Sequence, residues 1–210
     1  AAWGDYNNDG YLDVYVGGYE TPGYQPDALY FSEEARAFKF IDLPHEKNRP
    51  ARGVTAADYD NDGDVDIYVS NYRLEPNLLW QNDGKGRFTD VRVQARVDGD
   101  KPLGAWGHTI GSAFGDFDND GRLDLYVSSI RSNQRWFSQD FNVRGYVMNL
   151  VQSGRRAGLQ GTFLDLRQHL GDDWARVGQH ELAGNYLLRN LGNGEFADHS
   201  EASGTRLNGW

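Results

Sequence analysis

An all-β fold is what this sequence predicts, from three observations: an acidic phrase that occurs three times, a Gly-x-Gly phrase that accompanies it, and apolar residues that alternate beside both. The acidic phrase is Trp3-Gly4-Asp5-Tyr6-Asn7-Asn8-Asp9-Gly10-Tyr11-Leu12-Asp13-Val14-Tyr15-Val16, then Ala57-Asp58-Tyr59-Asp60-Asn61-Asp62-Gly63-Asp64-Val65-Asp66-Ile67-Tyr68-Val69, then Gly115-Asp116-Phe117-Asp118-Asn119-Asp120-Gly121-Arg122-Leu123-Asp124-Leu125-Tyr126-Val127. Self-similarity of this kind marks a repeat architecture. In Asp64–Ser70 the alternation places Val65, Ile67 and Val69 on one face of a strand, and Asp66 and Tyr68 on the other.

The second phrase is Asn77-Leu78-Leu79-Trp80-Gln81-Asn82-Asp83-Gly84-Lys85-Gly86-Arg87-Phe88-Thr89-Asp90, which aligns without gaps with Asn185-Tyr186-Leu187-Leu188-Arg189-Asn190-Leu191-Gly192-Asn193-Gly194-Glu195-Phe196-Ala197-Asp198. A degenerate version, Ala28-Leu29-Tyr30-Phe31 and later Phe38-Lys39-Phe40-Ile41-Asp42, holds the corresponding place in the first repeat. Gly-x-Gly between two apolar runs reads as a hairpin turn. A phosphate loop would need a helix after the glycines, and a strand-like Phe-x-Asp follows instead.

Each repeat therefore reads as four short strands: one ending at the acidic loop, one on Asp-x-Tyr-Val, one on Asn-x-Leu-x-x-Asn and one on Phe-x-Asp. Four strands per period of about 40 to 60 residues describe a propeller blade. The repeats span about 1–50, 51–105 and 106–204, with the start of a further repeat at 205–210. Closed rings use about four to eight blades. The expected architecture is thus a β-propeller segment of about three to four four-stranded blades, completed by remaining blades or by another subunit.

The third blade carries an insertion at about 131–182. Phe163, Leu166, Leu170, Trp174 and Val177 recur there at helical spacing, and Thr162 with Asp165 resembles a capping box, so part of it is expected to be helical. A second apolar cluster, Trp136 to Val151, precedes that stretch. Either these residues pack onto the propeller, or the insertion forms a lid or docking surface, since insertions on repeat scaffolds gather on one binding face.

Composition narrows the function. Net charge is −10, with 31 acidic against 21 basic residues, which disfavours a nucleic-acid surface. Apolar runs are strand-sized, so no membrane span is expected. Cysteine is absent, which excludes disulfides, thiolate catalysis and Cys-based zinc sites. Asp greatly outnumbers Glu; a solvated helical surface would favour Glu, whereas Asp belongs in turns and on hard cations.

Within each acidic phrase the spacing is Asp-x-(Asp/Asn)-x-Asp-Gly-x-x-Asp. Oxygens at positions 1, 3 and 5 of a tight loop converge on one point, Gly at 6 allows positive φ, and the carbonyl of position 7 can face inward. The expected ligands of three Ca2+ sites are Asp5, Asn7, Asp9, the Tyr11 carbonyl and Asp13; Asp58, Asp60, Asp62, the Asp64 carbonyl and Asp66; and Asp116, Asp118, Asp120, the Arg122 carbonyl and Asp124. An EF-hand needs Glu at position 12 and flanking helices, but that position is Val16, Val69 and Val127. The plainer alternative is an acidic turn closed by Asx hydrogen bonds alone. Without a cation each loop holds like charges within a few ångströms, so calcium is expected to be structural and its chelation to lower the melting temperature. With Asn7 in place of a carboxylate, the first loop is expected to bind most weakly.

These phrases resemble FG-GAP or VCBS repeats, known from integrin alpha-subunit propellers and many extracellular bacterial proteins, and the fuller phrase is similar to the cartilage acidic protein and ASPIC/UnbV group. The resemblance covers roughly residues 1 to 130 and 183 to 210. It implies a propeller, usually seven-bladed, with calcium in blade loops and an extracytoplasmic location. Asn7, the hairpin at residues 27 to 42 and the third-blade insertion depart from the pattern.

Enzyme signatures are thin. His180-Glu181 lacks the second histidine of a zinc-protease helix, since Gly184 stands there, and no Gly-x-Ser-x-Gly elbow occurs. His45, His108, His169, His180 and His199 form no pair at ligand spacing, and Arg131, Arg135, Arg155 and Arg156 read as a solvated face. The expected function is a non-catalytic calcium-binding module or scaffold with a protein or glycan partner. The alternative is the propeller portion of a polysaccharide lyase or hydrolase whose catalytic residues lie outside the recognised repeats.

Overall fold

Alternation along each strand dictates which sheets meet. The computed structural model describes residues 1–19, 25–44, 49–72, 76–95, 108–130 and 185–205, and among them the chain forms twelve strands and no helix. The first sheet contains β1 (Ala2–Gly4), β2 (Asp13–Val16), β3 (Ala28–Glu33) and β4 (Ala37–Ile41). The second contains β5 (Ala51–Ala57), β6 (Asp66–Asn71), β7 (Leu78–Asn82) and β8 (Phe88–Asp90). The third contains β9 (His108–Gly115), β10 (Asp124–Ile130), β11 (Tyr186–Asn190) and β12 (Phe196–Asp198). Every sheet is an antiparallel meander in chain order, the arrangement of a propeller blade.

The chain divides into two compact units, Ala1–Ile130 with Gly184–Trp210, and Arg131–Ala183. All the described strands belong to the first. The insertion expected at about 131–182, including its helical stretch, lies outside the described residues, as do residues 206–210, where a further repeat is expected to begin.

In β6 and β7 the rungs Ile67↔Trp80 and Val69↔Leu78 flank Tyr68↔Leu79. Ile67, Val69, Leu78 and Trp80 pack with Tyr15 and Leu29 of the first sheet. Tyr68 and Leu79 point the other way and pack with Leu125, Val127, Tyr186 and Leu188 of the third. The middle sheet is therefore covered on both faces, and every residue of β6 is buried. Each large apolar side chain removed from water contributes about 1.5–3 kcal/mol. The opposite face of the first sheet carries Trp3, Phe38 and Phe40, all more than half exposed.

The first strands of the second and third sheets approach closely because glycine permits it. A Cβ on Gly53 would sit 2.8 Å from the Gly111 Cα. Beside that contact the Thr55 hydroxyl donates to the Ser112 carbonyl at 2.9 Å, and the Thr109 hydroxyl reaches the Asn71 carbonyl and, at 2.7 Å, the Asn77 side-chain oxygen. The Gly-x-Gly phrases are hairpin turns as expected: Asp83 donates to the Arg87 carbonyl and Leu191 to that of Glu195. No helix among the described residues is long and apolar enough to cross a membrane.

Candidate metal centres

The three acidic phrases fold into the same bend, between the first and second strands of each sheet. The first Asp accepts from the N–H groups at positions 5 and 6: Asp5 from Asp9 and Gly10, Asp58 from Asp62 and Gly63, Asp116 from Asp120 and Gly121, all within 2.8–3.1 Å. The fifth-position Asp9, Asp62 and Asp120 accept from the N–H of Tyr11, Asp64 and Arg122. Gly10, Gly63 and Gly121 have φ of 88°, 95° and 84°, a region that L side chains avoid. Position 4 is Asn8, Asn61 and Asn119, with φ of 58°, 60° and 57°; asparagine tolerates the left-handed region better than other residues with a Cβ.

The ninth-position aspartates, Asp13, Asp66 and Asp124, open the second strands and are buried. One oxygen of each accepts the N–H of the loop's second residue, Tyr6, Tyr59 or Phe117. The other accepts from the third strand, at Ser32, Asn82 or Asn190, within 2.7–2.8 Å. Burial pushes Asp66 up to about 8, and the nearby Asp60 and Asp62 charges add to the shift. Asp13 is raised by burial with Asp9 and Asp5 contributing, and Asp62 by burial with Asp60, Asp64 and Asp58 contributing.

The loops differ in what they gather. Among the described residues, Asp58, Asp60 and Asp66 each offer an oxygen within 4.8 Å of the others, as do Asp116, Asp118 and Asp120. Asp62 and Asp124 stand outside these triples, and Asp5, Asp9 and Asp13 form none. Asn7 instead pairs with Asp9, its amide donating to the carboxylate and its oxygen accepting the Asp9 N–H. Tyr11, Asp64 and Arg122 follow the positive-φ glycine, the position whose carbonyl is expected to face inward.

The chemistry of the second loop suits a hard divalent cation. Asp60 Oδ1 is buried without a hydrogen-bond partner, while Oδ2 accepts from the Gln81 side chain at 2.6 Å. An uncompensated carboxylate oxygen inside an acidic triple is costly, and oxygen ligands alone are what calcium takes. The Asx hydrogen bonds expected of a metal-free turn occur as well. A carboxylate has about four lone-pair sites, so these bonds leave capacity for a cation.

Several residues that position these loops carry no signal in the acidic spacing itself. Asn82 donates to the Tyr6 carbonyl at 2.8 Å and the Val65 carbonyl at 3.1 Å. Asn190 donates to those of Tyr59 at 2.7 Å and Leu123 at 3.0 Å. Each third strand thereby ties its own loop to the loop of the preceding sheet. In the third sheet Arg189 reaches Asp118 at 2.7 Å and Asp120 at 3.3 Å, and Arg122 folds back onto Asp120. The repeated second phrase, aligned position by position, was the one available signal for Asn82 with Asn190 and for Gln81 with Arg189.

The FG-GAP-like repeat family matches residues 5–69 and 58–127, which takes in all three acidic loops. The chain is 30% identical over 140 residues to cartilage acidic protein 1 of Mus musculus, covering 60% of this chain and 20% of that protein. Similarity to cartilage acidic protein 1 of Xenopus tropicalis is 30% over 133 residues, with the same coverage, and to that of Homo sapiens 29% over 140 residues, covering 60% and 19%. The chain thus spans about a fifth of the length of the relatives it matches.

Proposed function

This chain belongs to the FG-GAP-like repeat family, and from that premise we propose that it is a calcium-stabilised propeller segment that binds a protein or glycan partner, without chemistry of its own, in an extracytoplasmic setting. Calcium holds each acidic bend and so fixes the edge of one blade beside the next. The observation that carries this reading is Asp60 Oδ1, buried without a hydrogen-bond partner among Asp58 and Asp66.

Two further features support it. The carboxylates at regular spacing already serve as acceptors for their own loops, which favours a binding scaffold over acid–base catalysis. The relatives carry the name cartilage acidic protein 1, in keeping with an extracytoplasmic setting and an acidic surface.

Thermal unfolding in chelator and in calcium, with elemental analysis of the dialysed protein, tests the proposal. Calcium at about a hundredfold over its dissociation constant adds about 2.7 kcal/mol per site, so chelation lowers the melting temperature by several degrees and calcium restores it. Identical melts with no retained ion would overturn the proposal.

A further inference from the structure

We propose that Arg189 is a built-in counter-cation of the third acidic loop, which makes that loop the weakest and most readily exchanged calcium site and the second loop the tightest. This inference rests on the calcium reading above and adds a ranking of the sites.

One position of the third strand differs in all three sheets. In the aligned second phrase that position is Phe31, Gln81 and Arg189. Gln81 donates to Asp60 Oδ2 at 2.6 Å, orienting the carboxylate with no net charge. Arg189 places a guanidinium at the same point, 2.7 Å from Asp118 Oδ2 and 3.3 Å from Asp120 Oδ2. Position 7 of the acidic phrase reinforces the contrast. In the second loop it is Asp64, a further carboxylate; in the third it is Arg122, which pairs with Asp120 and donates to the Asn190 carbonyl at 3.1 Å.

Charge then decides the order. A cation approaching the second loop meets Asp58, Asp60, Asp62 and Asp66 with a neutral Gln81 beside them, while the Asp64 carboxylate, which accepts from the Asn8 side chain at 2.8 Å, adds its charge nearby. At the third it meets Asp116, Asp118, Asp120 and Asp124 already compensated by two guanidinium groups. At these separations Coulomb repulsion between a guanidinium and a divalent ion is large even with substantial solvent screening, and charge-assisted pairs to carboxylates are among the stronger hydrogen bonds to displace. The first loop has only Asp5, Asp9 and Asp13, but no arginine is paired with any of them among the described residues, so it falls between the two. Local carboxylate count alone would put the first loop last because of Asn7; the arginines of the third loop reverse that order.

Calcium titration by calorimetry on the full chain, with Arg189→Gln, Arg189→Lys and the reciprocal Gln81→Arg, provides the test, together with melts in chelator and in saturating calcium. Arg189→Gln should tighten the weakest site about tenfold or more. Arg189→Lys, which keeps the charge, should not, and Gln81→Arg should weaken the tightest site by a similar factor. In the melts Arg189→Gln should lower the melting temperature in chelator, where it removes the counter-charge, and raise it or leave it unchanged in calcium. Loss of an ordinary structural ion pair would lower it in both. Unchanged affinities in Arg189→Gln and Gln81→Arg, or equal destabilisation in both conditions, would overturn the inference while leaving calcium binding intact. Absence of calcium binding by the unaltered chain would overturn both readings at once.

Discussion

Asn190, at the end of β11, donates through its side-chain amide to the carbonyl of Tyr59, 2.7 Å away and 131 residues earlier in the chain. Asn82 makes the corresponding bond to Tyr6 across 76 residues. Sheets that share no backbone ladder are thus joined by one side chain that also caps a carbonyl of its own loop. Both asparagines are buried, so each substitution strands two acceptors that water reaches poorly. Asn190→Ala and Asn82→Ala should each cost about 2–3 kcal/mol, measured as a shift in urea midpoint with unchanged slope.

The buried Asp66 gives the cation-free protein a defined pH dependence. Its folded value, about 8, lies above the unfolded value of about 3.9, so over that interval the folded state holds a proton that the unfolded state has released. The stability this contributes is fully present below about pH 4 and is lost as pH rises through 8. In chelator, the melting temperature should therefore fall between pH 5 and pH 8, and Asp66→Asn should flatten that slope. Calcium ligation requires the ionised carboxylate, so in saturating calcium the decline should disappear. Melts across pH in both conditions read all three outcomes.

The sequence made the strands legible because their periodicity is local: alternation in Asp64–Ser70 gave both faces of β6, and Gly-x-Gly gave both hairpins. The acidic loops were legible for the same reason, since all nine positions of each bend lie together in the chain. What spacing could not reveal was anything decided between segments far apart. The pairing of Arg189 with Asp118 spans 71 residues. The left-handed backbone at Asn8, Asn61 and Asn119 is local, and its one signal is the asparagine repeated at that position.

The second residue of the first two acidic loops seals a seam. Tyr6 meets Phe88 edge-on with ring centroids 5.8 Å apart, and Tyr59 stacks on Phe196 at 5.6 Å; in both pairs the phenylalanine comes from the outermost strand of the following sheet. Phe117, in the same position of the third loop, is 41% exposed. Phe88→Ala and Phe196→Ala should cost about 3–5 kcal/mol each, whereas Phe117→Ala should cost under about 1 kcal/mol because less area leaves water. Comparative thermal melts of the three variants distinguish the two seam residues from Phe117, whose ring meets only the side chain of His199 at 5.5 Å among the aromatic contacts of the described residues.

Close packing of glycine on glycine sets a further limit. A methyl at Gly53 would press on the Gly111 backbone at 2.8 Å, and backbone cannot swing aside as a side chain can. Gly53→Ala should destabilise by about 1–3 kcal/mol through overpacking. Gly115→Ala, where nothing lies within 4 Å of the added carbon, should change stability by less than about 0.5 kcal/mol. Equal losses at the two positions would mean that backbone freedom, and not the contact, is the controlling factor.

The hairpin between β3 and β4 is where the repeat's own turn chemistry is missing. Glu34 and Ala35 adopt φ of 51° and 58° in a bend closed by the Arg36 N–H to the Glu33 carbonyl at 2.9 Å, whereas the corresponding turns of the other sheets place glycine at their positive-φ positions. A residue with a Cβ in the left-handed region costs roughly 1–2 kcal/mol, and Asn-Gly is the pair that suits successive positive φ values. Both side chains point to solvent, so replacing them removes no packing. Glu34→Asn with Ala35→Gly should therefore stabilise the chain by about 1 kcal/mol, less whatever glycine loses by freeing the unfolded chain. A higher melting temperature in chelator and calcium alike would place the gain in the turn, and a lower one would mean that the entropy of the unfolded glycine outweighs the relieved strain.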